Sequence, residues 1–261
     1  MKIGYIQTNP IFGEKEQNFN DIKRLTANLS ADLIVLPELF ATGYTFTSKE
    51  EVISLAENLH GNTSQFLNNI AIDTGAVVVG GFAEKDRGKI YNSAMIVSDE
   101  GVIGTYRKIH LYYKEKFWFS AGDKPLKVYK INSMNIGIMV CFDWIFPETA
   151  RTLAILGADI IAHPANLVLP YCQKAMITRC LENRIYAVTA NRIGHEKRGE
   201  DEFRFTGGSQ ITSYDGSIIS TAPLDQEFID FADIDVSLVR NKKLNEYNDL
   251  IGDRRKKFYL I

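Results

Sequence analysis

Two short stretches, Ala31-Asp32-Leu33-Ile34-Val35-Leu36-Pro37 and Ala158-Asp159-Ile160-Ile161-Ala162-His163-Pro164, share one pattern. Each begins with Ala-Asp, continues through an apolar run that contains β-branched residues, and ends at proline. A short apolar run between such boundaries predicts a strand with both faces buried. Because the pattern occurs once in each half of the chain, we interpret the sequence as two copies of one structural unit.

The segments on either side of these stretches also correspond. The first half predicts strands at Lys2–Gln7, Asp32–Leu36 and Ala76–Ala83, helices near Glu16–Leu29 and after Asn62, and a hairpin of Tyr91–Ser98 with Val102–Arg107. The second half predicts strands at Asn135–Val140, Asp159–Ala162 and Ile185–Asn191, helices from Pro147 and over Tyr171–Asn183, and a hairpin of Ser209–Ser213 with Ser217–Thr221. Each half is therefore predicted to be a β-α-β-α-β-hairpin unit.

These units predict an α/β fold in a single domain over residues 1–261, since no Pro/Gly/Ser-rich linker separates the halves. Each mixed sheet would carry helices on one face and pack its other face on its pseudo-twofold mate. The expected architecture is a four-layer α-β-β-α sandwich. An eight-stranded β/α barrel is the alternative, but the two hairpins interrupt the alternation that a barrel requires.

The composition excludes several classes of protein. Thirty Lys and Arg against 32 Asp and Glu give a net charge of −2, which favours neither nucleic acid nor an anionic membrane as a partner. No run approaches the roughly 18 apolar residues of a membrane span, and the N-terminal segment lacks the apolar core of a signal peptide. The three cysteines, an odd number, predict reduced thiols and a cytoplasmic protein. The four histidines lack metal-ligand spacing, so no metal site is predicted.

Cys141 is the candidate nucleophile because it follows a predicted strand and precedes the helix that begins at Pro147. A thiol at such a turn lies near backbone N–H groups that can stabilise a thiolate or an oxyanion. The other two cysteines, Cys172 and Cys180, fall within a helical pattern and are predicted to be inert core residues.

Three charged residues are candidates for the acid–base and electrostatic roles. Glu38 follows a buried strand, where a carboxylate is costly unless it is paired or catalytic, and Ala165 takes its place in the second half. Lys108 follows the first hairpin, and Glu115 lies in an aromatic loop that could form a pocket wall. Solvent-exposed charges are the alternative for all three. His163 also allows a cysteine–histidine hydrolase, although Cys141 lacks the flanking glycines typical of a nucleophile elbow.

Together these segments resemble the carbon–nitrogen hydrolase (nitrilase) superfamily over nearly the whole chain. The segments that carry the resemblance are Pro37-Glu38, Tyr106-Arg107-Lys108-x-His110-Leu111, Cys141-Phe142-Asp143-Trp144-x-Phe146-Pro147-Glu148, Leu181-Glu182-Asn183-Arg184 and Asp253-x-Arg255 with Tyr259. The resemblance implies the same αββα fold, a Glu38–Lys108–Cys141 triad, Glu115 as a second glutamate, and a homodimer or larger homo-oligomer. It implies neither a metal nor an organic cofactor.

The implied reaction is hydrolysis of a non-peptide C–N bond through a Cys141 thioester, with the Phe142 backbone N–H and Lys108 holding the oxyanion. Small amides, nitriles and N-carbamoyl amines all suit the triad. We favour a small aliphatic amide, because the segment Cys141-Phe142-Asp143 differs from the Cys-Trp-Glu segment that is typical of true nitrilases in this family. The candidate pocket residues are Tyr44, Tyr113, Phe117, Trp144 and Asn166, and Arg107 or Arg192 could bind a substrate carboxylate. A binding module with incidental Glu, Lys and Cys residues is the non-enzymatic alternative.

Overall fold

A computed structural model describes residues 1–259, which form two six-stranded sheets, a two-stranded ribbon and seven α-helices. The strands are β1 (Lys2–Gln7), β2 (Leu33–Val35), β3 (Val77–Asp86), β4 (Lys89–Ser98), β5 (Gly101–Arg107), β6 (Val128–Ile131), β7 (Met134–Ile138), β8 (Ile160–Pro164), β9 (Tyr186–Ala190), β10 (His195–Arg198), β11 (Asp201–Arg204), β12 (Gln210–Thr212), β13 (Ile218–Thr221) and β14 (Phe228–Asp233). The helices are α1 (Lys15–Thr26), α2 (Lys49–Leu55), α3 (Asn62–Thr74), α4 (Glu115–Trp118), α5 (Pro147–Ile155), α6 (Cys172–Asn183) and α7 (Ser237–Arg240), with 3₁₀ helices at Cys141–Ile145 and Lys256–Phe258. No helix in this range is long and apolar enough to cross a membrane.

The two large sheets pack face to face, and helices cover their outer faces. The strand order is β14-β1-β2-β3-β4-β5 in the first sheet and β13-β12-β9-β8-β7-β6 in the second, with parallel strands at the centre of each. Side chains of β2 alternate between the two interfaces: Leu33 and Val35 join the core between the sheets, whereas Ile34 packs in the core beneath α1 and α3. The structure confirms the α-β-β-α sandwich.

The predicted β-α-β-α-β-hairpin units are present, but each sheet has a sixth strand that the sequence analysis did not predict. β6 pairs antiparallel with β7, and β14 pairs antiparallel with β1. The pseudo-twofold is therefore more complete than the repeat indicated, because β14 returns from the end of the second half to the edge of the first sheet. Both strands are edge strands with several partly exposed side chains, so neither shows the continuous apolar run of a buried strand.

The ribbon of β10 and β11 and the short helices α2 and α4 were also not predicted. The ribbon sequences, HEKR and DEFR, are dominated by charged residues and carry no apolar run. One ribbon residue nevertheless enters the interior: Glu196 is buried, forms an ion pair with Arg192, and accepts hydrogen bonds from the backbone N–H groups of Tyr44 and Thr45. The ribbon is thereby fixed to the loop that carries Tyr44.

Candidate active site

The candidate catalytic side chains lie at the ends of strands from both sheets. Glu38 lies in the loop after β2, Lys108 directly follows β5, and Cys141 opens the 3₁₀ helix that follows β7. Glu115 is the first residue of α4. In sheets of this kind, ligands bind beyond the carboxyl ends of the parallel strands. The site therefore combines charged groups from the first half with the thiol of the second.

Lys108 holds the two glutamates together. Its Nζ lies 2.7 Å from Glu38 Oε1 and 2.8 Å from Glu115 Oε1, and the three side chains are at most 4% exposed. Burial alone would lower the pKa of Lys108, but the carboxylates of Glu115 and Glu38 outweigh it and raise this pKa well above its usual range. Lys108 is therefore a fixed ammonium. Burial also raises the pKa of Glu115, against the opposing effect of Lys108.

Neighbouring donors fix the orientation of both carboxylates. Asn92 Nδ2 donates to Glu38 Oε1 at 2.7 Å. The Tyr44 hydroxyl donates to Glu115 Oε1 at 2.7 Å, and the Tyr112 backbone N–H donates to Glu115 Oε2 at 3.0 Å. The remaining oxygen, Glu38 Oε2, is buried and has no hydrogen-bond partner among the described residues. One carboxylate oxygen is thus available to a reacting molecule.

The thiol of Cys141 is buried and neutral at neutral pH. Its Sγ lies 3.7 Å from the backbone oxygen of Asn166, to which it donates, and its pKa is raised well above the usual value of a thiol. The causes are burial first and then the charge of Glu38, with Lys108 acting in the opposite direction. A neutral thiol needs a base before it can attack, and the charged group with the strongest effect on it is Glu38.

Three residues of the site have strained backbones. Cys141 has φ +43°, Leu39, next to Glu38, has φ +49°, and Tyr113, in the turn before Glu115, has φ +48°. A non-glycine residue in this left-handed region costs about 1–3 kcal/mol, and such residues cluster at functional sites. The strained residues thus lie in the turns that carry the candidate nucleophile and both carboxylates.

Asp143 fixes the turn that carries Cys141. Its Oδ2 accepts hydrogen bonds from the Val140 backbone N–H at 2.8 Å and from the Tyr106 hydroxyl at 2.7 Å, and its Oδ1 lies 2.7 Å from His110 Nδ1. The His110 ring in turn stacks on Phe146 at 3.6 Å. His110 and Asp143 thus act on the backbone around the thiol rather than on the thiol.

His163 contacts the backbone of Cys141, not its sulfur. Its Nε2–H donates to the Cys141 carbonyl oxygen at 3.0 Å, and its Nδ1 accepts from the Thr189 hydroxyl at 3.1 Å. Burial lowers the pKa of His163 to about 4, so the imidazole is neutral at neutral pH. This geometry does not support the cysteine–histidine alternative, and it favours the Glu38 and Lys108 arrangement.

The candidate pocket residues are divided among three cavities. Trp144 and Asn166 line the cavity that contains Cys141, with an empty space of about 240 Å³. Tyr44 and Tyr113 line a second cavity with Glu115, of about 280 Å³. Phe117 is 70% exposed and lies on a separate groove with Lys49 and Ile53, so the structure does not bring it to the thiol. The outward position of Phe117 follows from α4, whose single turn places Glu115 inside and Phe117 outside.

Neither arginine considered as a carboxylate ligand is free. Arg107 is bonded to Glu84, Asp86 and Asp123, and Arg192 is bonded to Glu196 and to the Pro10 carbonyl. Within residues 1–259, no group of three or more His, Cys, Asp or Glu side chains is arranged to hold a metal ion.

Sequence reasoning missed Asn92 and Gly81, and it quoted Asp143 without recognising its contacts. Asn92 binds Glu38, Asp143 holds the nucleophile turn, and Gly81 lets β3 approach the loop of Glu38, since a Cβ at Gly81 would lie 2.5 Å from Glu38 Cα. The only sequence signal for Asn92 is a polar amide inside a strand, where asparagine is uncommon. Gly81 likewise stands in a strand interior, which indicates a close backbone approach.

The chain is similar to known proteins over nearly its whole length. The sequence profile described as carbon–nitrogen hydrolase matches residues 2–243. A protein of Pyrococcus abyssi named nitrilase is 48% identical, with 99% of each chain covered, and an (R)-stereoselective amidase of Pseudomonas sp. is 34% identical, with 87% of this chain and 82% of the relative covered. The crystal structure of a carbon–nitrogen hydrolase from Helicobacter pylori superposes with a TM-score of 0.89 at 24% identity and covers 99% of this chain and 97% of that one, which shows a shared fold.

Proposed function

The chain belongs to the carbon–nitrogen hydrolase family, and from that premise we propose that it hydrolyses small aliphatic amides to a carboxylic acid and ammonia. Cys141 is the nucleophile, Glu38 the general base and acid, and Lys108 the cation that stabilises the oxyanion. Glu115 fixes Lys108 and accepts a hydrogen bond from the substrate nitrogen. This enzyme is thus of the nitrilase and amidase type. The proposal is that its substrate is an amide rather than a nitrile.

The observation that carries the choice of amide is the free oxygen of Glu38. Glu38 Oε2 is buried without a hydrogen-bond partner among the described residues. A buried acceptor of this kind requires a donor. A primary amide brings two N–H donors on its nitrogen, whereas a nitrile nitrogen is only an acceptor.

In the first half-reaction, Glu38 takes the Sγ proton as the sulfur attacks the amide carbonyl carbon. The negative charge that develops on the carbonyl oxygen is held by the Lys108 ammonium and the Phe142 backbone N–H. Phe142 lies in the first turn of the 3₁₀ helix, where backbone N–H groups have no intrahelical acceptor. Glu38 then returns its proton to the amide nitrogen, the C–N bond breaks, and ammonia leaves a Cys141 thioester.

In the second half-reaction, Glu38 deprotonates a water molecule that attacks the thioester carbonyl carbon. The same Lys108 ammonium and Phe142 N–H hold the second oxyanion, which collapses with loss of the Cys141 thiolate. The thiolate regains the proton from Glu38, and the carboxylic acid is released. Each step uses only side chains and backbone groups of this chain together with water, so this scheme requires no cofactor.

Nitrile hydrolysis is the second candidate, and one finding favours it: the P. abyssi relative, which is 48% identical, is named nitrilase. The test is kcat/KM for propionamide against propionitrile, with ammonia as the measured product. We expect the amide to have the higher value and the Cys141→Ala variant to hydrolyse neither. A higher value for propionitrile would reverse the order of the two functions.

A further inference from the structure

Asn166 has a side chain for which the fold provides no partner. The residue is 2% exposed, and neither its Oδ1 nor its Nδ2 has a hydrogen-bond partner among the described residues. Buried amides are nearly always bonded, because an unpaired buried donor or acceptor is costly. The backbone oxygen of the same residue accepts from Cys141 Sγ. An unused donor and an unused acceptor therefore lie on the residue that contacts the candidate nucleophile.

The cavity around Asn166 is otherwise mostly apolar. Its other walls are the rings of Phe142 and Trp144 and the consecutive residues Leu167, Val168 and Leu169. Among the described residues, Tyr112 is the one further polar side chain on these walls besides the Cys141 thiol. In sites of this kind a few polar groups set the orientation of the ligand while apolar walls supply most of the contact. Asn166 is such a group.

The reacting amide does not need Asn166. In the proposed mechanism, the carbonyl oxygen is bound by Lys108 and the Phe142 N–H, and the nitrogen is bound by Glu38 and Glu115. The acyl chain is the part of the substrate that these residues leave unbound. A hydroxyl on that chain could donate to Asn166 Oδ1 and accept from Nδ2, which would satisfy both atoms.

We propose that Asn166 forms an acyl-chain subsite that selects amides with a hydroxyl on the carbon next to the reacting carbonyl. This inference rests on the proposed amide hydrolysis and names the substrate class within it. A site built to bond a hydroxyl rejects the analogue that lacks it far more strongly than an apolar pocket rejects one extra group. Asn166 is therefore a specificity-determining residue.

Lactamide and isobutyramide test the proposal, because they differ only by a hydroxyl in place of a methyl group. We expect kcat/KM of the wild-type enzyme to favour lactamide by at least about tenfold. Asn166→Leu, which keeps the approximate size and removes both polar atoms, should bring the ratio to one or below, mainly by raising KM for lactamide. Asn183→Leu is the matched control: Asn183 is also fully buried, and its Oδ1 has no hydrogen-bond partner within residues 1–259, but it ends α6 outside the cavity. This control should keep the wild-type ratio.

Binding to the inactive Cys141→Ala protein separates this inference from the proposed function. Calorimetry on Cys141→Ala measures both affinities whether or not wild-type protein hydrolyses any amide. Tighter binding of lactamide, lost in the Cys141→Ala/Asn166→Leu variant, supports the subsite even if ammonia release fails. Equal or undetectable binding of the two amides, or a preference that survives Asn166→Leu, overturns it. The wild-type ratio alone overturns it if it is near one, so the test does not depend on the folding of a variant.

Discussion

At the scale of single residues, the buried cluster keeps a constant charge through the proposed reaction. Before attack, the carboxylates of Glu38 and Glu115 flank the Lys108 ammonium. When Glu38 accepts the thiol proton it becomes neutral, while a negative charge forms on the substrate oxygen. The ammonium therefore exchanges one anionic partner for another, and the site never has to bury an additional charge. This exchange explains why a cation between two carboxylates can still stabilise an oxyanion: one carboxylate is neutralised by the thiol proton in the same step in which the oxyanion forms.

Lys108→Arg tests whether Lys108 acts through its position as well as its charge. The guanidinium is a longer, planar fork that cannot occupy the space of a buried ammonium with contacts of 2.7 and 2.8 Å. We expect kcat to fall by at least about 10²-fold, the loss typical of removing an oxyanion donor. The matched control is Lys114→Arg, at a partly exposed lysine paired with Asp201, which should stay near wild type. Near-wild-type activity of Lys108→Arg would make Lys108 dispensable.

Glu115→Gln separates a catalytic from a structural role of this carboxylate. The substitution keeps the shape of the side chain and its acceptor oxygen for the Tyr44 hydroxyl, but removes one of the two charges that hold Lys108 protonated. We expect slow acylation, seen as slow ammonia release in a single turnover, with thermal unfolding close to wild type. Acylation within about twofold of wild type would remove Glu115 from the site.

The protonated thiol predicts a particular pH dependence of alkylation. Burial and the charge of Glu38 raise the pKa of Cys141, so the thiolate fraction is small at neutral pH and grows as the pH rises. The rate of inactivation by iodoacetamide should therefore keep increasing through and beyond the range in which an ordinary thiol ionises. Mass spectrometry should find the label on Cys141, since Cys172 and Cys180 are fully buried. A rate that is already constant at neutral pH would show a resting thiolate instead.

At the scale of elements, the parts predicted from the sequence are those with the most complete burial. β2 and β8 are buried along their whole length, so their apolar runs were recognisable without any other information. β14 and the β10–β11 ribbon are half exposed and rich in charges, and their stability comes from pairing with distant segments that no local pattern records. The same limit applies to the site: Glu38, Lys108 and Cys141 stand in motifs, whereas the bond from Asn92 to Glu38 spans 54 residues of sequence and depends on strand register.

Gly81→Ala tests how closely β3 must approach the loop of Glu38. The added Cβ would lie 2.5 Å from Glu38 Cα and 2.7 Å from the Leu39 backbone nitrogen, and backbone atoms cannot move aside as a side chain can. We expect a loss of about 1–3 kcal/mol in the free energy of unfolding together with a large loss of kcat, because Glu38 must shift. In Gly80→Ala, on the opposite face of β3, the atoms nearest to the added Cβ belong to the side chains of Phe40 and Leu67, so this variant should retain more activity. Equal activity in the two variants would contradict this account.

At the scale of the whole molecule, the two halves share a scaffold and divide the chemistry. The first half supplies Glu38, Lys108 and Glu115, and the second supplies Cys141, while Ala165 stands where the repeat places Glu38. Neither half contains all four candidate groups, so the proposed site lies where the two sheets pack together. The core between the sheets fixes this geometry, because a well-packed apolar interface resists sliding. The two similar units thus form a common scaffold, and the residues that differ between them supply the proposed site.

The family resemblance implies a homodimer or larger assembly, and the outer face of the second half is where we expect the contact. α5 and α6 lie side by side there, and large apolar side chains on these helices and directly after α5 are exposed: Ile155 at 43%, Leu156 at 47% and Leu181 at 56%. The corresponding layer of α1 and α3 exposes Ile72.

In a twofold interface each substitution enters twice, so Leu156→Lys combined with Leu181→Lys would place four ammonium groups in an apolar contact. Sedimentation velocity should show a dimer or larger species for wild type and for the control Ile72→Lys, but a monomer for the double variant. A monomeric wild type at micromolar concentration, or dissociation of Ile72→Lys instead, would refute this location of the interface.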